Sequence, residues 1–320
     1  MLARTNVFIT GPNGGIGLET VKILVQEDVS KIALACRTLE KAEWTKSELL
    51  KQNQVNIRLE PYGGFDMGDE KAIKTAVAKI PQGTRFDIVF LQAGGMIVAD
   101  NFQFISAKHM QIEKTIYQNV MGAYLTLMHL DQSGLIAPNA RIVFPGGEGA
   151  RGIKGMIKKP TFQSVDELEN YIFKGFGKYK DLDALGYAKF MTGLLVQQLA
   201  ELDKARTYIW FSPGLTSGTK GLRDVPNPKR FLFEKIGFPL MNLLGIAQSP
   251  KQAAQKYVDC LDGKYGESGD LLGAPEGKTL GNLVDQKPMN AGLTNFQFKQ
   301  RLWEIVVKCC GTVTTEKIKG

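Results

Sequence analysis

Four cysteines and two histidines in 320 residues leave little for disulfide or metal chemistry. Cys36 falls in an apolar run that predicts a buried strand, Cys260 in a helical stretch, and Cys309 and Cys310 are adjacent near the tail. Neither their number nor their spacing matches a zinc site or a disulfide framework. His109 and His129 stand far from any ligand pattern, and both are expected on helices. No uninterrupted apolar run reaches membrane-spanning length, and the first strand begins almost at once, without the stretch a secretion signal needs. A cytoplasmic location is therefore expected. Internal repeats, low-complexity blocks and a second-domain linker are also missing. Hydrophobic residues at 43% and charged residues at 22% are ordinary for a globular chain and exclude disordered and fibrous classes. The net charge is +8, yet no nucleic-acid motif accompanies it and aromatic interleaving is slight, so no nucleic-acid partner is expected.

The chain does have a glycine-rich turn. Val7-Phe8-Ile9 reads as a short strand, Thr10-Gly11-Pro12-Asn13-Gly14-Gly15-Ile16-Gly17 as a turn, and the stretch from Leu18 as a helix. Glycines after a strand let the backbone bend sharply, approach a pyrophosphate and pack the next helix close to the sheet. The helix N-terminus then offers unpaired N–H groups and partial positive charge to phosphate. The candidate cofactor contacts here are Thr10, Gly11, Asn13, Gly15, Ile16 and Gly17.

The spacing Thr-Gly-x-x-x-Gly-x-Gly resembles the short-chain dehydrogenase/reductase family, and the likeness extends over most of the chain. The strand Ile32–Cys36 ends in Arg37, where an acidic residue would favour NAD; a guanidinium there, with Lys41 one turn on, points to the 2'-phosphate of NADP(H). Asp66-Met67 resembles the family's acidic contact to the adenine amino group. Phe86–Leu91 predicts a buried strand closing on Gln92-Ala93-Gly94-Gly95, where the family has Asn-Ala-Gly, so Ala93 and Gly94 are expected beside the cofactor. Asn119 resembles the mid-helix Asn that holds a relay water, and Ser212-Pro213-Gly214 the turn beside the nicotinamide, with Thr216 or Thr219 at its amide.

Two catalytic positions break the pattern. The strand Arg141–Phe144 runs into Pro145-Gly146-Gly147-Glu148-Gly149, which puts Gly147 where the resemblance implies a catalytic Ser; Glu148 is the nearest group able to donate a proton, or else a solvated loop residue. Lys189 matches the lysine of Tyr-x-x-x-Lys, but Tyr187 is two residues before it and Leu185 holds the expected place. At ~100° per residue, positions two apart point to nearly opposite sides of a helix. Three arrangements could restore an acid: a helix starting near Ala188, a bend at Gly186, or Tyr179 reaching in from the preceding loop. Otherwise Tyr187 is a core or rim aromatic. Lys189 can still hold the ribose hydroxyls.

The resemblance implies a doubly wound parallel sheet, Rossmann-like, with helices on both faces and a substrate-side lid. Residues 1–320 are expected to form one domain with an insertion over 151–182 and a lid over 220–247. The insertion carries Phe162, Tyr171, Phe173, Phe176 and Tyr179, and the lid is strongly apolar from Phe231 to Leu244. Both suggest a lipophilic ligand, or contact with a membrane or partner; a buried helix pair is the other reading. Lys154, Lys158 and Lys159 are either a solvated basic surface or an attractor of acidic groups. The C-terminal part is similar in general character to the retinol dehydrogenase and protochlorophyllide reductase branch. The expected function is an NADP(H)-dependent oxidoreductase for a bulky lipophilic carbonyl or conjugated alkene, with Asn119, Lys189, Tyr187 and Glu148 as catalytic candidates. An NADP(H)-binding regulator without hydride transfer, or an isomerase or cyclase on the same fold, stands beside it. Pairing into a dimer or tetramer through the helices around Asn119 and Lys189 is a further implication.

Overall fold

The computed structural model describes residues 2–52, 57–217 and 245–312. Most of the expected lid, and Thr219, lie outside the described residues. Among those described, the central sheet is built from β1 (Asn6–Thr10), β2 (Lys31–Cys36), β3 (Arg58–Gly63), β4 (Phe86–Phe90), β7 (Ile136–Pro145), β8 (Thr207–Phe211), β9 (Leu271–Gly273) and β10 (Val284–Asp285). Their spatial order is β10-β9-β8-β7-β4-β1-β2-β3, parallel throughout except for β10. The strand order reverses between β1 and β4, and such a switch point opens a ligand crevice at the carboxyl ends of the strands.

The strands are apolar at nearly every position because both faces of the sheet are covered. Phe8, Val89, Ile142 and Trp210 bury into one core. Their neighbours Val7, Ile9, Ile88, Val143 and Ile209 bury into the other. The second core is roofed by α1 (Gly15–Leu24), α2 (Leu39–Gln52) and α8 (Pro250–Leu261). The first is covered by α3 (Glu70–Val77), α4 (Lys114–Ile116), α5 (Gly122–Gln132), α6 (Val165–Lys174), α7 (Asp181–Leu202) and α9 (Phe296–Cys310). This is the Rossmann-like arrangement expected, with helices on both faces.

Several local expectations need correction. His129 is helical, but His109 sits in the tight turn of a hairpin, β5 (Phe104–Ala107) with β6 (Met110–Glu113). Lys108 and His109 both take positive φ there, 42° and 70°. The turn carries no glycine to advertise it. The aromatic insertion forms core. Phe162 lies within 6.4 Å, centroid to centroid, of Tyr171, Phe176, Tyr187, Phe190 and Phe298. These rings pack on one another, while Phe173 lines an open surface pocket with Met110, Glu169 and Arg301.

α9 lies over α7, and the chain after it reaches α5. Tyr124 stacks edge-on against Trp303 and donates its hydroxyl proton to the Gly311 carbonyl at 3.0 Å. Every residue from Gly122 to Asp131 is buried within the single chain.

Candidate active site

The glycine turn leaves β1 and enters α1 without a side-chain cap. Gly14 at the cap makes no side-chain bond, and no acidic residue occupies the first turn of α1. By contrast α3, α6, α8 and α9 are each capped by Asp69, Ser164, Ser249 or Asn295. An uncapped N-terminus of this kind holds N–H groups and dipole ready for an anion. Gly11 has φ +68°, and a Cβ on Gly17 would stand 2.3 Å from Gln92 Oε1 and 2.4 Å from the Gly11 carbonyl, so neither position admits a side chain. Gln92 Oε1 is buried against this turn without a hydrogen-bond partner. The uncapped helix and the side-chain-free cradle together fit a dinucleotide pyrophosphate, whereas the Gln92 oxygen, an acceptor, has no part in holding an anion.

Around the cradle the other predicted contacts divide into those near the turn and those that hold it together. Thr10 Oγ1 accepts from the Ala93 N–H at 2.9 Å, tying the end of β1 to the end of β4. Asn13 Oδ1 accepts from the Cys36 thiol at 3.8 Å, and burial pushes that thiol up to about 12. Arg37 Nε lies 3.5 Å from Asp66 Oδ2 on an exposed rim, and Asp66 Oδ1 accepts from the Gly68 N–H at 3.0 Å. Arg37 and Asp66, at the ends of neighbouring strands, are thus brought together. Lys41, half-buried, stands in the first turn of α2. Met67 is a packing residue, buried in the core, with its backbone against Gly122, where a Cβ would meet Met67 O at 2.4 Å.

Asn119 sits in a widened, π-type turn, Tyr117–Met121, between α4 and α5, a local irregularity that often marks a functional position. Its Oδ1 accepts from the Gly95 N–H, and its Nδ2 donates to the carbonyls of Gly95 and Thr115, all at 2.9 Å. Gly94, at φ +144°, could not carry a Cβ without meeting Asn119 Oδ1 at 2.6 Å. Asn119 therefore clamps the Gly94-Gly95 loop. Beneath it lies a chain the sequence did not reveal: Tyr179 donates to the Ile97 carbonyl at 2.8 Å, pairs with Thr115 Oγ1 at 3.2 Å, and Thr115 donates to Glu113 at 2.9 Å. Burial raises both the Tyr179 hydroxyl, to about 12, and the Glu113 carboxyl.

Lys189 is half-buried on α7, and its ammonium donates to the Pro145 carbonyl at 2.9 Å. Burial pushes its pKa down to about 8. A Cβ on Gly147 would lie 3.3 Å from Lys189 Cγ, so this glycine faces the lysine stem. Gly146 is obligatory for another reason, the Trp210 ring, 2.6 Å from where its Cβ would be.

Tyr187 does not join them. α7 is an unbroken helix from Asp181, so neither the late start near Ala188 nor a bend at Gly186 occurs. Tyr187 points to the far side, stacked on Tyr171 at 4.2 Å. Burial raises its hydroxyl further above the ordinary range. Leu185 shares the Lys189 face by helical spacing.

Glu148 is not a pocket acid either. It is 4% exposed, and both its oxygens accept from Ser212 Oγ, at 2.8 and 2.9 Å. Oε1 also accepts from the Ala274 N–H at 3.0 Å. Its neighbour Arg151, buried in turn, donates to Gln286 Oε1 and to the carbonyls of Pro275 and Lys278. The loop where the catalytic Ser was expected is a buried polar latch between β7 and the C-terminal strands. The turn after Ser212 is held as well: the Pro213 carbonyl accepts from Gln248 Nε2 at 2.6 Å and Lys256 Nζ at 3.0 Å, and Thr216 Oγ1 donates to the Gly214 carbonyl at 3.1 Å. Gly214 takes φ +100° against Leu280 and Thr279.

A family model described as short chain dehydrogenase matches residues 5–146. The short chain dehydrogenase atnD of Emericella nidulans is 25% identical over 270 residues, 82% of this chain and 81% of that one. The short chain dehydrogenase FGM9 of Gibberella zeae is 30% identical over 170 residues, spanning 51% of this chain and 48% of that protein. Among solved structures, the NADPH-dependent 3-quinuclidinone reductase of Rhodotorula rubra superposes with a TM-score of 0.56 at 16% identity, covering 84% of this chain and 88% of that one. With the sheet order and the glycine cradle in place, these matches support a member of the short-chain dehydrogenase/reductase family.

Proposed function

We propose that this protein is an NADP(H)-dependent oxidoreductase acting on a bulky lipophilic carbonyl or conjugated alkene, with Lys189 as proton donor in place of the displaced tyrosine. The observation that carries the reading is Lys189 itself: a desolvated ammonium, with one donor spent on Pro145 and its stem facing a glycine instead of a serine. A lysine near pKa 8 is protonated at neutral pH yet a far better acid than an ordinary one, in the range enzymes use for proton transfer. The bound dihydronicotinamide would supply the hydride. Gly11, Gly15 and Gly17 would admit its pyrophosphate, Arg37 its 2'-phosphate, and Pro213, Gly214 and Thr216 would border its amide end. NADP(H) preference is supported by Arg37 in the place of an acidic residue. The lipophilic substrate class is supported by Leu185 beside Lys189 and by the apolar sequence of the expected lid.

Transfer of deuterium from labelled NADPH to a panel of lipophilic carbonyls and conjugated alkenes tests this reading. Product carrying the label, lost in Lys189→Met, is the expected result. Tight NADPH binding with no labelled product from any acceptor would favour the second reading, an NADP(H)-binding regulator without hydride transfer. That alternative draws on the commitment of both Tyr187 and Glu148 to packing. The isomerase or cyclase reading relied on those two groups as acid and base and loses its support with them. Pairing through α5 and α7 is likewise disfavoured, because the chain's own C-terminal helix covers that region.

A further inference from the structure

We infer that two lysine-rich loops on the crevice side of the sheet form a docking surface for an anionic lipid bilayer. The first loop, residues 152–160, follows the carboxyl end of β7. The second, 174–182, leads into the N-terminus of α7. In a parallel sheet with crossover helices, both positions stand at the carboxyl-end side, where the cofactor crevice opens.

The loops are built together. Ile153 and Ile157 pair across a tight turn, with the Ile157 N–H donating to the Ile153 carbonyl at 2.8 Å. The Lys158 N–H donates to Asp183 Oδ1 at 2.7 Å, fastening this turn to the first turn of α7, and Ile157 packs against Gly186. The anchored segments leave several side chains exposed, although Tyr179 is buried and Lys159 Nζ donates to the Met289 carbonyl at 2.7 Å. Met156, Phe176 and Leu182 are 39%, 36% and 39% exposed. Lys154, Lys158, Lys159, Lys174, Lys178 and Lys180 are all exposed around them. Within these two segments the sole carboxylate is Asp181, which is turned inward to accept from the Ala99 N–H.

Charge of one sign surrounding a few isolated apolar tips suits the headgroup layer, where lysines meet lipid phosphate and the tips enter the acyl boundary. Met156 projects from the first turn, Leu182 from the first turn of α7, and Phe176 shows only the edge left free by its packing on Tyr171 at 5.1 Å; apolar points set singly among lysines favour a bilayer over a protein helix. A flat anionic surface also matches the spread of the lysines over two loops. The inference stands independently of hydride transfer.

Co-sedimentation of the full chain with vesicles tests it. Phosphatidylcholine vesicles containing phosphatidylserine should bind the protein at low salt and release it at high salt, while pure phosphatidylcholine vesicles should not bind. Combined Lys154→Glu, Lys158→Glu and Lys178→Glu should weaken binding more than ~10-fold, since each lysine near an anionic surface contributes about fivefold. Met156→Ser with Leu182→Ser should weaken it separately, with the lysines intact. A matched triple on α3 and just after it, Lys71→Glu, Lys74→Glu and Lys79→Glu, should leave it unchanged. Absence of binding, equal binding to neutral vesicles, or equal loss in the two lysine triples would overturn the inference.

Discussion

Removing the Glu148 carboxylate separates its two possible roles most cleanly. In Glu148→Ala the Ser212 hydroxyl and the Ala274 N–H lose their acceptor inside the protein. Each buried donor left unsatisfied costs about 1–3 kcal/mol. Arg151, buried alongside and held down by that burial, also loses the anion that raises it back. Stripping one partner from such a cluster costs about 3–5 kcal/mol in all. Glu148→Gln keeps the volume and one acceptor oxygen, so its cost should be about 1–2 kcal/mol. Urea denaturation at unchanged slope measures both, and a cycle with Ser212→Ala should return a coupling of roughly 1–3 kcal/mol. NADPH affinity should fall with stability, because Ser212 opens the Pro213-Gly214 turn. The reasoning fails if Glu148→Ala unfolds within about 1 kcal/mol of the parent. It fails differently if Glu148→Gln keeps stability and NADPH affinity but loses turnover more than ~10²-fold, for then Glu148 is the acid after all.

Tyr187→Phe should leave turnover unchanged, whereas Tyr187→Ala should cost about 3–5 kcal/mol of stability by opening a hole beside Tyr171 and Phe162; a large loss of turnover in the Phe variant would contradict the placement of the ring. Turnover in the reductive direction should fall as pH rises through about 8, the value to which burial lowers Lys189, and a profile flat across that region would remove Lys189 as the donor. The linked stability runs oppositely: the folded state binds fewer protons than the unfolded state between about 8 and the ordinary lysine value of 10.5, so Lys189 contributes a rise in stability with pH there, absent in Lys189→Met. Arg37→Ala should weaken NADPH binding about 10- to 100-fold with little change for NADH, as expected for a charge-assisted contact, and equal loss for both in calorimetry would refute the 2'-phosphate assignment.

Much of the cofactor half was legible because its requirements are local. A strand of alternating core-facing residues, a turn that tolerates no Cβ and a helix that starts without a cap are written in consecutive residues, from Val7 to Gly17. The Arg37 and Asp66 positions follow from strand ends in the same way. Helical spacing alone showed that Tyr187 and Lys189 could not share a face, and the uninterrupted α7 agrees. The destinations of the side chains were decided only in three dimensions. Tyr187 found Tyr171 and Phe162, which come from a segment whose aromatics looked like pocket lining until they packed on one another. Glu148 found Ser212 and Ala274, 64 and 126 positions away, and no spacing rule links a carboxylate to partners supplied by later strands. His109 entered a hairpin through a turn with no glycine, and α9 returned across helices whose composition gave no sign of a cover. The sequence by itself determined which backbone shapes could form, since those depend on near neighbours; the tertiary structure decided which polar groups satisfy which, because a buried group must take its partner from whatever the folded chain brings within reach.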